Sequence, residues 1–257
     1  MQNYEFDVEL RNIQVCAGKK IPDRKAVVRK DNGLVLGIVG NDYKPVLHSR
    51  VIDTFESVPF LKRNRIDVCQ EGRIMFAQYD IKTNGDIKKA EVQKGDIVSF
   101  GLRGFNSFDT SYGVGFELNA NRLVCTNGLV IPKTVARLSF RHFQNVDIPG
   151  LARTIQARME QLNPTVETWK RWLTIHPSKE RIQEYLKKVK IGKRIEEELL
   201  EKAVIDSTDT GVWGVYQVLT AYVSHGLKLR GKEENRMLAV RNKERELLHG
   251  FYKFNWN

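Results

Sequence analysis

Cys125 stands beside Thr126 and Asn127 in the stretch Arg122-Leu123-Val124-Cys125-Thr126-Asn127-Gly128-Leu129-Val130. A thiol, a hydroxyl and a carboxamide in a row could serve a nucleophilic site. The thiol would then need a base delivered by folding, and His142 and His225 are the candidates. The surrounding pattern favours a plainer role. Leu123 and Cys125 alternate with Arg122 and Val124 as in a strand, where a free cysteine packs as a small hydrophobe. Asn127-Gly128 supplies the residues that a tight bend requires.

The other chemical candidates are sparse. The histidines, His48, His142, His176, His225 and His249, are scattered, and none stands at metal-ligand spacing from a cysteine or another histidine. Asp42, Asp53, Asp67 and Asp80 show no spacing diagnostic of a metal-dependent nuclease. "GLRGFNSFDTSYGVGFE" is rich in glycine but lacks the Gly-Lys-Ser/Thr ending of a phosphate loop. Its glycines fit a curved hairpin in which backbones come close. The expectation is a protein without catalysis, metal or cofactor.

A binding surface is better signalled. In "VARLSFRHFQN", read as a strand, Arg137, Ser139, Arg141 and Phe143 share one face, and Leu138, Phe140 and His142 the other. Guanidiniums neutralise phosphates, and an aromatic ring stacks on any base, so such a face suits a single nucleic-acid strand. Arg103, Phe105, Phe108 and Tyr112 extend the set. Charge points the same way: 42 Lys and Arg against 31 acids leave a net +11. A cationic chain of this kind is drawn to polyanions, nucleic acid first.

Two kinds of element must position these residues. The first half reads as short strands: a hairpin about Asp31-Asn32-Gly33, and a second about Glu71-Gly72 between "RIDVCQ" and "RIMFAQYDI". One helix interrupts them, capped by Ser49, with Val51, Ile52, Phe55 and Val58 on one face. Residues 82–96 read as an exposed turn region. From Pro149 onward the chain reads as helices. Ser178 caps one, Gly192 breaks the pattern, and Thr208, Asp209 or Thr210 caps "GVWGVYQVLTAYVSH" before a stop at Gly226. The basic segment from Lys187 to Arg194 is followed at once by Glu196-Glu197-Glu198, which reads as a solvated helical face. The aromatic end, Phe251, Tyr252, Phe254 and Trp256, must dock on the body or on a partner. The fold class is α+β: a curved, mostly antiparallel sheet over residues 1–148 and a helical region over 149–257, sharing one core.

Three segments carry a resemblance: "RKDNGLVLGIVGNDYKPV" from Arg29, "NRLVCTNGLV" from Asn121 and "TDTGVWGVYQVLTAYVSH" from Thr208. Their order resembles a family of phage- and plasmid-encoded proteins that carries a domain of unknown function, often labelled "phage/plasmid-like protein". The resemblance spans about Arg29 to His225 and implies a bacteriophage, prophage or plasmid origin and action in the host cytoplasm. It supplies no catalytic residues. A β-rich half followed by helices also resembles the general plan of phage single-strand annealing proteins.

The sequence therefore leads to an ATP-independent protein that binds nucleic acid, single-stranded DNA above all, in replication or recombination. Arg103, Arg137 and Arg141 would hold phosphates, Phe105 and Phe143 would stack bases, and protomers side by side on a strand would anneal it. The alternative is a phage effector that anchors on a host protein by its aromatic end. No apolar run is long enough to span a bilayer, and the odd set of 3 cysteines fits a reducing compartment.

Overall fold

The computed structural model describes residues 4–15, 18–122, 128–130, 137–142, 148–160, 162–189, 191–226, 236–248 and 250–257. Cys16 and Cys125 lie outside them, and so does the core of the stretch around Cys125. The fold is α+β, with antiparallel strands in the first half of the chain and helices in the second.

The strands are β1 Val8–Gln14, β2 Lys20–Arg29, β3 Val35–Gly40, β4 Leu61–Cys69, β5 Ile74–Thr83, β6 Asp86–Ile87, β7 Lys89–Gln93, β8 Asp96–Ser107, β9 Val114–Arg122, β10 Gly128–Val130 and β11 Arg137–Phe140. The helices are α1 His48–Glu56, α2 Ile148–Met159, α3 Leu162–Trp172, α4 Lys179–Lys188, α5 Lys193–Ala221 and α6 Arg236–Leu248. Two compact units form, and neither is one stretch of chain. The first takes Met1–Ile87, Gly101–Leu118 and Ala136–Met159; the second takes Lys88–Phe100, Asn119–Val135 and Glu160–Asn257.

In the first unit β1, β2 and β3 make a small sheet in that order. The β2–β3 hairpin turns at Asn32-Gly33 as its sequence dictates: Gly33 has φ 73°, and the Asn32 side chain accepts from the Leu34 N–H at 2.9 Å. β4 and β5 pair around Glu71-Gly72, with Cys69 opposite Ile74, and β5 continues onto β8 with Phe76 opposite Phe105. Helix α1 buries Val51, Ile52 and Phe55. Its first residue is His48, its cap is the Leu47 backbone, and no side chain caps it. Ser49, expected as the cap, thus lies inside the helix. Residues 82–96, expected as an exposed turn region, instead contain the short strands β6 and β7.

The second unit is built on aromatic rings. Trp169 packs near Trp213 at 5.4 Å and lies parallel to Phe100 at 6.4 Å. Trp213 donates its indole N–H to the buried Asp96 carboxylate at 2.9 Å. Ser178 caps α4, accepting from Arg181 N–H, and α5 begins immediately after Gly192, as the sequence predicts. Helix α5 is broken at Gly211 (φ 57°, ψ −145°), directly after the Thr208-Asp209-Thr210 cap signal. Val212 N–H beyond the break binds Ile175 C=O at 2.8 Å. The aromatic end docks on its own chain. Phe251 is sealed among Trp172, Tyr185, Tyr216 and Trp256, and the Trp169 indole donates to the Tyr252 hydroxyl at 2.7 Å.

Candidate nucleic-acid interface

Four of the five residues expected to bind nucleic acid fall within the described part of the first unit, and the strand pairing accounts for their positions. β11 lies antiparallel to β9, with Arg137 opposite Glu117, Leu138 opposite Phe116 and Ser139 opposite Gly115. The glycines of β9 and its approach permit this pairing. A Cβ on Gly115 would collide with the Leu138 carbonyl, and one on Gly113 with the Phe140 carbonyl. The close backbone approach expected of the glycine-rich stretch is therefore present.

Residues directly opposite on paired strands share a face, as do residues two apart on one strand. Phe105 and Arg103 of β8 thus face the same way as Phe76 and Gln78 of β5. Arg137 reaches that face and sets its guanidinium over the Phe105 ring, 4.8 Å from the centroid. Arg103 pairs with Glu117 at 3.0 Å, the two side chains being 9% and 15% exposed. The four groups form one cluster of two cations, one carboxylate and one ring. Arg141, just past β11, is exposed, whereas its neighbour His142 is buried.

Two expected roles need correction. Phe105 is 0% exposed, packed against Tyr112 and covered by Arg137, so no base reaches its ring. Phe108 and Tyr112 are buried too, Phe108 in a core cluster with Phe6, Val27 and Tyr43. Aromatic residues in these strands went inward because burying a ring contributes more than leaving it in water. Arg103 is likewise held inward by Glu117, so its charge is largely neutralised within the protein. Arg137 is half-buried and Arg141 exposed, and Phe143 lies outside the described residues.

Glu117 was not foreseen from the sequence. In "GVGFEL" the period-two pattern that aligns Gly113 and Gly115 also brings Glu117 to their face, and that was the available signal. A buried pair, His48 and Asn106, was equally unforeseen; in it the Asn106 amide approaches His48 Nδ1 at 2.9 Å. Burial pushes the His48 pKa down to about 4 and lowers that of His142.

The family described as "Domain of unknown function (DUF932)" matches residues 35–245. The chain belongs to that family. The DUF932 span contains β3 through α5 and every residue of the candidate interface, Arg103, Phe105, Glu117, Arg137 and Arg141. The aromatic end and the strands β1 and β2 lie outside the DUF932 match. No curated protein matches the chain, and no solved structure does.

Proposed function

We propose that the protein binds nucleic acid, single-stranded DNA in the first place, by phosphate contacts from the β11 edge and without making or breaking a bond. The observation that carries this reading is the convergence of Arg137 with Arg103 and Phe105, from distant parts of the chain, with the exposed Arg141 four residues further along. The net charge of +11 supports it, because a cationic surface gathers polyanions from a distance. In this mechanism the Phe105 ring is a pedestal. It holds the Arg137 guanidinium by cation–π attraction, which leaves less side-chain entropy to be lost on binding. Arg141 meets a second phosphate. Base stacking falls to Phe143 rather than Phe105.

The cellular setting belongs to the same proposal: a phage, prophage or plasmid protein acting in the host cytoplasm, aligning side by side on a strand to anneal it independently of ATP. The competing effector reading relied on the aromatic end as anchor for a host protein. That end is packed on its own chain, with Phe251 at 0% and Trp256 at 5% exposure, so these two rings are spent on the fold, while Tyr252 and Phe254 are half-buried.

Fluorescence anisotropy with a labelled oligothymidylate tests the proposal. Affinity should fall with rising salt, by about 0.7 in log K per log salt for each phosphate contacted by a cation on a single strand. Absent or salt-insensitive binding rejects it.

A further inference from the structure

His48 opens α1 with 1% exposure, and its ring is held at both nitrogens. Nε2 lies 2.9 Å from Gly72 C=O, and Nδ1 lies 2.9 Å from Asn106 Nδ2. A carbonyl only accepts and an amide nitrogen only donates, so Nε2 carries the hydrogen and Nδ1 is bare. The same Asn106 Nδ2 donates to Val46 C=O at 2.7 Å, which fixes the orientation of the amide. Asn106 is 0% exposed, and its Oδ1 has no hydrogen-bond partner among the described residues.

The remaining neighbours disfavour a charged ring. Phe6 and Phe108 face it at 5.8 and 4.4 Å, and Arg29 and His142 add positive or potentially positive charge. The carbonyl that receives Nε2–H belongs to an unusual turn. Gln70, Glu71 and Gly72 have φ of 52°, 59° and 102°, a left-handed run in which two members are not glycine. Arg29 donates to the Glu71 carbonyl of that turn at 3.1 Å.

We propose that His48 and Asn106 form a proton-operated latch on the segment leading into α1. With His48 neutral, one Asn106 amide nitrogen ties Val46 and His48 to β8 together. A proton taken from solvent onto Nδ1 would set donor against donor. The amide then turns, Oδ1 accepts the new N–H, and Val46 C=O loses its donor. No other bond changes. The unpartnered Oδ1 is the acceptor that the second state requires. The latch is independent of nucleic-acid binding.

Nitrogen-15 shifts of the His48 ring and amide hydrogen exchange test the latch on the full chain. At neutral pH the Nε2–H tautomer is expected. Near the pH at which His48 titrates, exchange in residues 44–52, corrected for intrinsic rates, should rise by about tenfold while residues 114–118 keep their protection. In Asn106→Leu, residues 44–52 should exchange fast at both pH values. Asn106→Asp, which offers a carboxylate to Nδ1–H, should move the His48 titration upward. A Nδ1–H tautomer at neutral pH, an exchange ratio that ignores pH, or simultaneous loss of protection at 114–118 overturns the proposal. The wild-type measurement decides alone where a variant does not fold.

Discussion

The carboxylate of Glu117 holds the Arg103 guanidinium at 3.0 Å inside the sheet face that Arg137 also reaches. Two charges so little exposed are stable only as a pair, because each would otherwise forfeit its hydration without compensation.

Glu117→Gln should therefore lower the unfolding free energy by roughly 3 kcal/mol, since Arg103 stays buried without its counter-charge. The double variant Arg103→Met with Glu117→Leu should recover most of that loss. Urea unfolding of the three proteins provides the check. Equal destabilisation by the single and double variants would show that the pair is not the cause.

Gly211 interrupts α5 at a backbone conformation that side chains resist, and a Cβ there would strike the carbonyls of Ile175 and Trp172. Gly211→Ala should cost about 1–3 kcal/mol or more in thermal or chemical unfolding, well above an exposed helical Gly→Ala change, which ordinarily stabilises by up to about 1 kcal/mol. A neutral or stabilising result would mean that the helix runs straight through this point.

Acid should weaken the fold before most carboxylates titrate. Folded His48 remains neutral down to about pH 4, whereas the unfolded side chain takes its proton near 6.5. Between those values the unfolded chain binds a proton that the folded chain refuses. The contribution is complete above pH 6.5 and shrinks as pH falls toward 4. From pH 7 to pH 5 the loss from His48 should be roughly 2 kcal/mol. The lowered pKa of His142 acts in the same direction. Urea midpoints at the two pH values, compared with those of His48→Gln, measure the share; an unchanged slope in the variant would assign it elsewhere.

The pattern of the strands made much of this fold legible, and the packing of the strands decided the rest. Asn32-Gly33 and Glu71-Gly72 announced their hairpins because turn geometry is a local property. Ser178 and Gly192 did the same for the helices, whereas Thr208 and Thr210, expected as caps, donate back to the Val204 and Asp206 carbonyls inside α5, and the break falls at Gly211. Arg137 and Arg141 were placed on one face by alternation, and Arg137 does reach the Arg103 and Phe105 face. Alternation could not say which face would be covered. Phe105, Phe108 and Tyr112 therefore passed for accessible rings when they are sealed. The partner of Arg103 was hidden for a related reason: Glu117 lies on another strand, and only pairing brings the two together. His48 and Asn106 were equally silent, being 58 residues apart.

In the proposed mechanism Arg137 and Arg141 take phosphates. Anisotropy titrations of oligothymidylate across about 50 to 200 mM salt, for the wild type and for Arg137→Ala with Arg141→Ala, test it most directly. The variant should bind more weakly, with a salt slope shallower by about 1.4, the share of two phosphates on a single strand. Wild-type binding whose strength and salt slope survive both substitutions would contradict it.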